Sequence, residues 1–182
     1  MHDEEFRCAL PFDASRHPIE IVQGRHGPYS HFAERQPPFK DLSYAIDFRL
    51  PVGASILAVC RGRVRTILDV STSCYRGMDR REASEAWPNL VVVDCGGEIL
   101  DAYIHLLRGS VRVQVGQCIE EGQLLGQVGD SGWVGPISTH LHFQRYSYGT
   151  QSRRLQMQTL PISFRDYDGP LEHQDLLVCA HV

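Results

Sequence analysis

The sequence predicts an all-β fold: a single domain of short, mostly antiparallel strands that leave an open groove, with few and short helices. Runs of alternating or β-branched residues recur from Tyr44 onward, most of them bounded by glycine, and only one segment looks helical. The length of 182 residues, with 42% hydrophobic and 22% charged content, suits one compact globular domain over 1–182.

Up to about Arg25 the chain is mixed and broken by Pro11 and Pro18, so 1–25 is expected as a strap or short strand, with the core over 30–145. "YAIDFRL" alternates, "SILAVC" and "GRVRTILDV" are rich in β-branched residues, and Pro51-Val52-Gly53 separates the first two as a turn. The polar stretch from Ser71 to Asn89 reads as a long loop with a short helix over "DRREASEAW". Then come "LVVVDCG", "EILDAYIHL", "SVRVQVG", "QLLGQVG" and "THLHFQRYSYG", each expected as a strand. Within "VQVGQCIEEGQLLGQVG", Val115-Gly116-Gln117 is echoed by Glu121-Gly122-Gln123, which suggests hairpin geometry. The tail over 150–182, ending "DLLVCAHV", is expected to wrap the domain or add an edge strand.

Charge narrows the partners. Eighteen basic against 22 acidic residues give −4, with no basic excess for phosphates, so nucleic acid is not an expected partner. No apolar run approaches the roughly 18 residues of a membrane span. The start "MHDEEFRCAL" lacks a basic segment followed by an apolar one, so no export signal is expected. Cys8, Cys60, Cys74, Cys95, Cys118 and Cys179 contain no Cys-x-x-Cys pair, which argues against structural zinc and leaves bridges open. Cys60, inside an apolar run, is expected as a small buried residue.

The nine histidines are unevenly placed. His140 and His142 are two apart on an expected strand, so both imidazoles emerge on one face while Leu141 and Phe143 point into the core. His105 also falls on an expected strand. Asp47 sits among Tyr44, Ala45, Ile46 and Phe48, where an ionised carboxylate needs a partner or a metal. Each has an ordinary alternative: a hydrogen-bonded histidine, or a salt-bridged or turn aspartate. Together they suggest a metal centre in a groove.

Three blocks then resemble the lysostaphin-type zinc metallopeptidases, the peptidoglycan endopeptidase family: "SH" followed by "YAIDFRLPVGASILAVCRGRV", "NLVVVDCGGEILDAYIHL", and "VQVGQCIEEGQLLGQVGDSGWVGPISTHLHFQ". The resemblance implies that family's fold, with a hairpin like a lipoyl hammerhead. It implies one zinc ion on His31, Asp47 and His142, with His105 and His140 as catalytic residues beside it. His31 and Asp47 are far apart in sequence, an insertion that leaves His26, among the turn residues of "GRHGP", as a rival to His31. His2, His17, His173 and His181 lie outside the blocks and are expected to be ordinary solvated histidines. Gly129, Ser131, Gly132 and Gly135 are expected to shape the turn before "HLH", and the 71–89 loop to rim the groove with Tyr75 and Trp87 as substrate contacts.

The implied activity is hydrolysis of peptide bonds in peptidoglycan cross-links or stem peptides by metal-activated water, outside the cytoplasm. The alternative is a non-catalytic relative that binds peptidoglycan or a partner in the same groove. A lipoyl- or biotinyl-carrier role needs a lysine at a hairpin tip, and Lys40, the only lysine, is far from one. A histidine phosphocarrier would leave Asp47 unexplained.

Overall fold

The computed structural model describes residues 7–32, 41–149 and 156–172. The first elements are β1 (Arg7–Cys8), β2 (Ile21–Gln23), β3 (Ile46–Arg49), β4 (Ser55–Leu57), β5 (Gly62–Leu68) and β6 (Cys74–Tyr75). A short helix α1 (Arg80–Glu85) precedes the long hairpin β7 (Leu90–Gly96) and β8 (Ile99–Ile104). The chain continues through β9 (Cys118–Ile119), β10 (Leu124–Gln127), β11 (Gly132–Trp133), β12 (His140–Gly149), β13 (Gln156–Leu160) and β14 (Ser163–Phe164). The fold is nearly all β, as its alternating segments predict.

One sheet dominates, ordered β2-β3-β12-β8-β7-β5-β9, with β13 also pairing β12. All pairings in it are antiparallel. Its spine is β12. On one side β12 meets β8; on the other, His140 to Phe143 pair with β3 and Arg145 to Gly149 pair with β13. Residues Gln156–Leu160 thus lie at the edge left where β3 ends.

Alternation along β3 and β12 sends Ile46, Phe48, Leu141 and Phe143 into the main core, all with no exposed surface. Phe48 meets Phe12 and Phe164 edge-on at 5.3 and 5.6 Å between centroids, and Tyr103 meets Phe143 at 5.3 Å. Each such ring, fully buried, contributes about 1.5–3 kcal/mol of transfer free energy. The core thereby pins the first half of β12 by Leu141 and Phe143 and leaves His140 and His142 for the opposite face.

Beside that core, Asp101 on β8 lies opposite Arg145 on β12, and the buried guanidinium donates to both carboxylate oxygens, Nε to Oδ1 and Nη2 to Oδ2, each at 2.7 Å. Arg145 Nη1 also donates to the Cys8 thiol of the strap at 3.1 Å. Cys60 is buried, as expected, but it is not a lone thiol: it is disulfide-bonded to Cys95. The bond ties the turn after β4 to the β7–β8 hairpin.

Three expected details change. "SVRVQVG" forms no strand; it runs beside β5 and β10 through isolated bonds from Arg112 N to Leu125 O, from Val64 N to Gln117 O and from Gly116 N to Val64 O. The glycine-glutamine echo is a repeated turn. Gln117 N donates to Gln114 O while Gln117 Oε1 accepts from Gln114 N, and Gln123 does the same with Glu120. The flanking strands then pair outward, β9 with β5 and β10 with β4. Helix α1 is shorter than "DRREASEAW": Asp79 caps it, accepting from Arg81 N and Glu82 N at 2.9 and 3.0 Å, and it stops ahead of Pro88. "DLLVCAHV", His2, His173 and His181 lie outside the described residues.

Candidate metal centre and its groove

Register builds the centre. Asp47 on β3 is paired directly with His142 on β12, and Gln23 on β2 with Asp47. Directly paired residues share a face, so these three form one cross-strand row on the side away from the core. His140 projects from the same face two residues earlier, and His105 follows the last residue of β8. His31 arrives from the loop after β2.

These side chains converge in buried space. His142 Nδ1 lies 2.8 Å from Asp47 Oδ1, His31 Nε2 lies 3.3 Å from the same oxygen, and His140 Nε2 lies 3.7 Å from Oδ2. One ligand atom each from His31, Asp47 and His142 falls within 4.8 Å of the others. His105 stacks edge-on against His140 at 4.8 Å and His142 at 5.9 Å. His26 is not part of this group; it is exposed and packs on Tyr44 at 5.1 Å.

Every histidine of the centre is oriented by its other ring nitrogen. His31 Nδ1 meets the Gly24 carbonyl, His105 Nδ1 that of Ser131 and His140 Nδ1 that of Ser138, all at 2.8 Å; His142 Nε2 meets Gln144 Oε1 at 3.1 Å. A neutral imidazole that donates outward to a carbonyl turns its lone pair inward, the arrangement a metal ligand or a proton acceptor needs. His31 Nε2 and Asp47 Oδ1 are buried with no hydrogen-bonding partner. Orphaned acceptors facing each other across 3.3 Å are costly unless a cation lies between them, so the donor set fits a metal ion.

Burial opposes charge on Asp47, but the imidazoles of His31, His140 and His142 outweigh it and hold its carboxyl well below the usual range. Burial would lower His142, yet Asp47 and Gln144 lift it above the ordinary imidazole value. His105 is pushed well below that value, chiefly by burial with His140 and His142 adding to it, and burial also lowers His140 against the pull of Asp47. His105 further holds φ at 70°, an uncommon backbone state for a non-glycine residue and one that clusters at functional sites. A second Cys/Asp group, Cys60, Cys95 and Asp101, does not fit a metal, because its sulfurs are bonded to each other and its carboxylate is held by Arg145.

The centre lies in a groove of about 500 Å³ whose walls include Phe32, Leu42, Trp133, Pro136 and Ile137. The turn before β12 is shaped as its glycines suggest: Gly132 holds φ at 84°, and a Cβ there would fall 2.7 Å from Pro88. Ser131 accepts from Asn89 N and donates to Leu106 O, which fixes the carbonyl that orients His105. The 71–89 loop does rim the groove, but through Ala83, Ser84, Ala86 and Pro88. Tyr75 is instead occupied with the Asp79 amide, and Trp87 faces solvent at 67% exposure.

The model of peptidase family M23 matches residues 41–154. The chain belongs to peptidase family M23. Several solved structures share its fold. The catalytic domain of a point mutant of the prophage-encoded M23 protein EnpA from Enterococcus faecalis is 22% identical, covers 84% of this chain and 93% of its own, and has a TM-score of 0.51. A zinc containing peptidase from Vibrio cholerae is 20% identical over 78% of this chain and 37% of its own, also at 0.51. A chain of the SpoIIQ–SpoIIIAH pore forming complex is 14% identical over 78% of this chain and 84% of its own, again at 0.51. No curated protein matches the sequence. Membership of the M23 family supports a peptidase activity.

The match begins after both Gln23 and His31, so the chain ahead of residue 41 supplies groups that the matched segment does not contain. Several partners were not apparent from sequence: the carbonyls of Gly24, Ser131 and Ser138, and the Gln23 and Trp133 side chains. Gln144 alone carried a signal, since two residues beyond His142 on one strand means the same face.

Proposed function

We propose that this M23 peptidase is a zinc-dependent endopeptidase acting on peptide bonds of bacterial peptidoglycan cross-links or stem peptides, with 30–145 as its catalytic unit. The observation that supports it best is the pair of orphaned buried atoms, His31 Nε2 and Asp47 Oδ1, beside His142 Nδ1. His31, Asp47 and His142 would hold the ion, three protein ligands being what a catalytic rather than a structural site has. Zinc there supplies Lewis acidity toward water and the scissile carbonyl.

The chain's own groups do the rest. His105 and His140 turn Nε2 toward the centre, because Nδ1 of each is committed to a backbone carbonyl. Their lowered basicity keeps them neutral, so one accepts the proton of the attacking water at Nε2 and passes it to the leaving amine. The other, equally neutral, offers only its Nε2 lone pair, and it orders the attacking water by accepting from its second O–H. The apolar walls hold the peptide and limit water around these groups.

The test is elemental analysis of the purified protein alongside His142→Ala, followed by assay on cross-bridge peptides and purified cell wall. One zinc per wild-type chain, lost in the variant, with cleavage inside the peptide supports the proposal. A wild type that contains no zinc and takes none up overturns it in favour of a groove that binds without cutting.

A further inference from the structure

We propose that Gln23 is a positioning residue of the metal centre: its amide dictates which oxygen of Asp47 faces the ligand nitrogens and fixes the turn that delivers His31. This rests on the proposal that the centre holds zinc.

The geometry is specific. Gln23 is 1% exposed. Its Nε2 donates to Asp47 Oδ2 at 2.9 Å and to Ser30 Oγ at 3.0 Å, while its Oε1 accepts from Tyr29 N at 2.9 Å and Ser30 N at 3.1 Å. Both N–H groups and both carbonyl lone pairs are thus used, which is the full capacity of an amide. The sense of the amide is dictated, too: reversed, it would set N–H against N–H at the turn and oxygen against oxygen at Asp47.

Backbone register points the same way. Ile21 pairs with Phe48, so an unbroken antiparallel ladder would place Val22 opposite Asp47. The ladder instead shifts between Ile21 and Gln23, and Gln23 takes that place. Such irregularities re-aim a side chain at the cost of a ladder bond, and they concentrate near active sites. Here the shift exchanges an apolar side chain for an amide at the one spot where the carboxylate needs a donor.

The two oxygens of Asp47 thereby become unequal. Oδ2 is engaged by Gln23, whereas Oδ1 is left without a hydrogen-bonding partner beside His31 Nε2 and His142 Nδ1. At the other end of the amide, the two bonds to the Tyr29 and Ser30 backbone hold the approach to His31, whose ring is steadied separately by the Gly24 carbonyl. One side chain therefore orients two of the three ligand residues. Such outer partners typically change metal affinity about 10–100-fold when removed.

The experiment compares wild type, Gln23→Met and Gln23→Glu by zinc competition titration and by the visible absorption of the cobalt(II)-loaded proteins, which reports ligand arrangement independently of turnover. Met has nearly the shape of Gln but no polar atoms able to replace its amide, and it is expected to weaken zinc about 10–100-fold and to alter the cobalt spectrum. Glu keeps the acceptor for Tyr29 and Ser30, so the turn is retained, but it offers Asp47 no N–H. Its cobalt spectrum is expected to depart from wild type even if Gln23→Met proves unstable. If wild type binds zinc and the folded variants match it in both affinity and spectrum, Gln23 has no such role while the zinc proposal stands. If wild type binds neither metal, the zinc proposal itself fails and takes this one with it.

Discussion

Asp47 stands directly opposite His142 across the β3–β12 ladder, with Oδ1 of the carboxylate 2.8 Å from Nδ1 of the imidazole. The contact joins the two strands on the groove face just where Ile46, Phe48, Leu141 and Phe143 lock them on the other. The core thus fixes the backbone that spaces these groups, which is how a sheet holds a site to the fraction of an ångström that catalysis needs.

From that arrangement follows a division of roles. His142→Ala and Asp47→Ala should each abolish zinc binding, whereas His105→Ala and His140→Ala should retain one zinc and lose about 10²–10⁴-fold in kcat/KM, the usual worth of a positioned acid or base. Metal content and kinetics measured on the same samples check this. Zinc lost in His105→Ala, or full activity in His140→Ala, would contradict the assignment.

The first ligand can be decided separately. His31 is fully buried with Nε2 turned toward Asp47, while His26 is exposed against Tyr44. Zinc titration of His26→Ala should therefore match wild type, and His31→Ala should not bind. The reverse pattern would show that the loop after β2 adopts another course when metal is present.

Acid should be tolerated better than an ordinary imidazole allows. Burial lowers both His105 and His140 from the usual 6.5, so each stays neutral and able to accept a proton as the pH drops past that value. The acid limb of kcat/KM is expected to have its midpoint below pH 6.5, with activity lost only as the pH falls through the lowered value. A midpoint at or above 6.5 would mean that these groups are solvated in the working enzyme.

Period two made the β12 pattern legible in advance: Leu141 and Phe143 go to the core because His140 and His142 do not. Asp47 was legible for a similar reason, an acid in an apolar strand. His31, distant in sequence from Asp47, was reachable only by resemblance to a family. Gln23 was not legible at all, because its place depends on a one-residue shift in a short strand whose pairing is set by tertiary contacts. The Cys60–Cys95 bond was equally hidden, since spacing leaves connectivity undetermined. "SVRVQVG" misled for the opposite reason: its alternation is real, but no neighbouring strand offers it a continuous ladder, and of its valines Val113 alone is fully drawn into the core.

An ion pair lies behind the site. Asp101 and Arg145 are both buried and joined by two 2.7 Å bonds, Arg145 lying further along the strand that carries His142 and Gln144 and Asp101 opposite it on β8. Removing one partner strands the other's charge away from water, so Asp101→Ala should cost about 3–5 kcal/mol in denaturant unfolding. Replacing both by apolar residues of similar size, Asp101→Leu with Arg145→Met, removes both desolvation penalties at once and should recover most of that loss. A double variant as unstable as the single one would mean that the pair does more than neutralise itself, for instance by anchoring Cys8 and the strap through Arg145 Nη1. Zinc affinity in the double variant separates the two outcomes, because a displaced strap would carry Gln23 and His31 away from Asp47, while an intact one would leave binding unchanged.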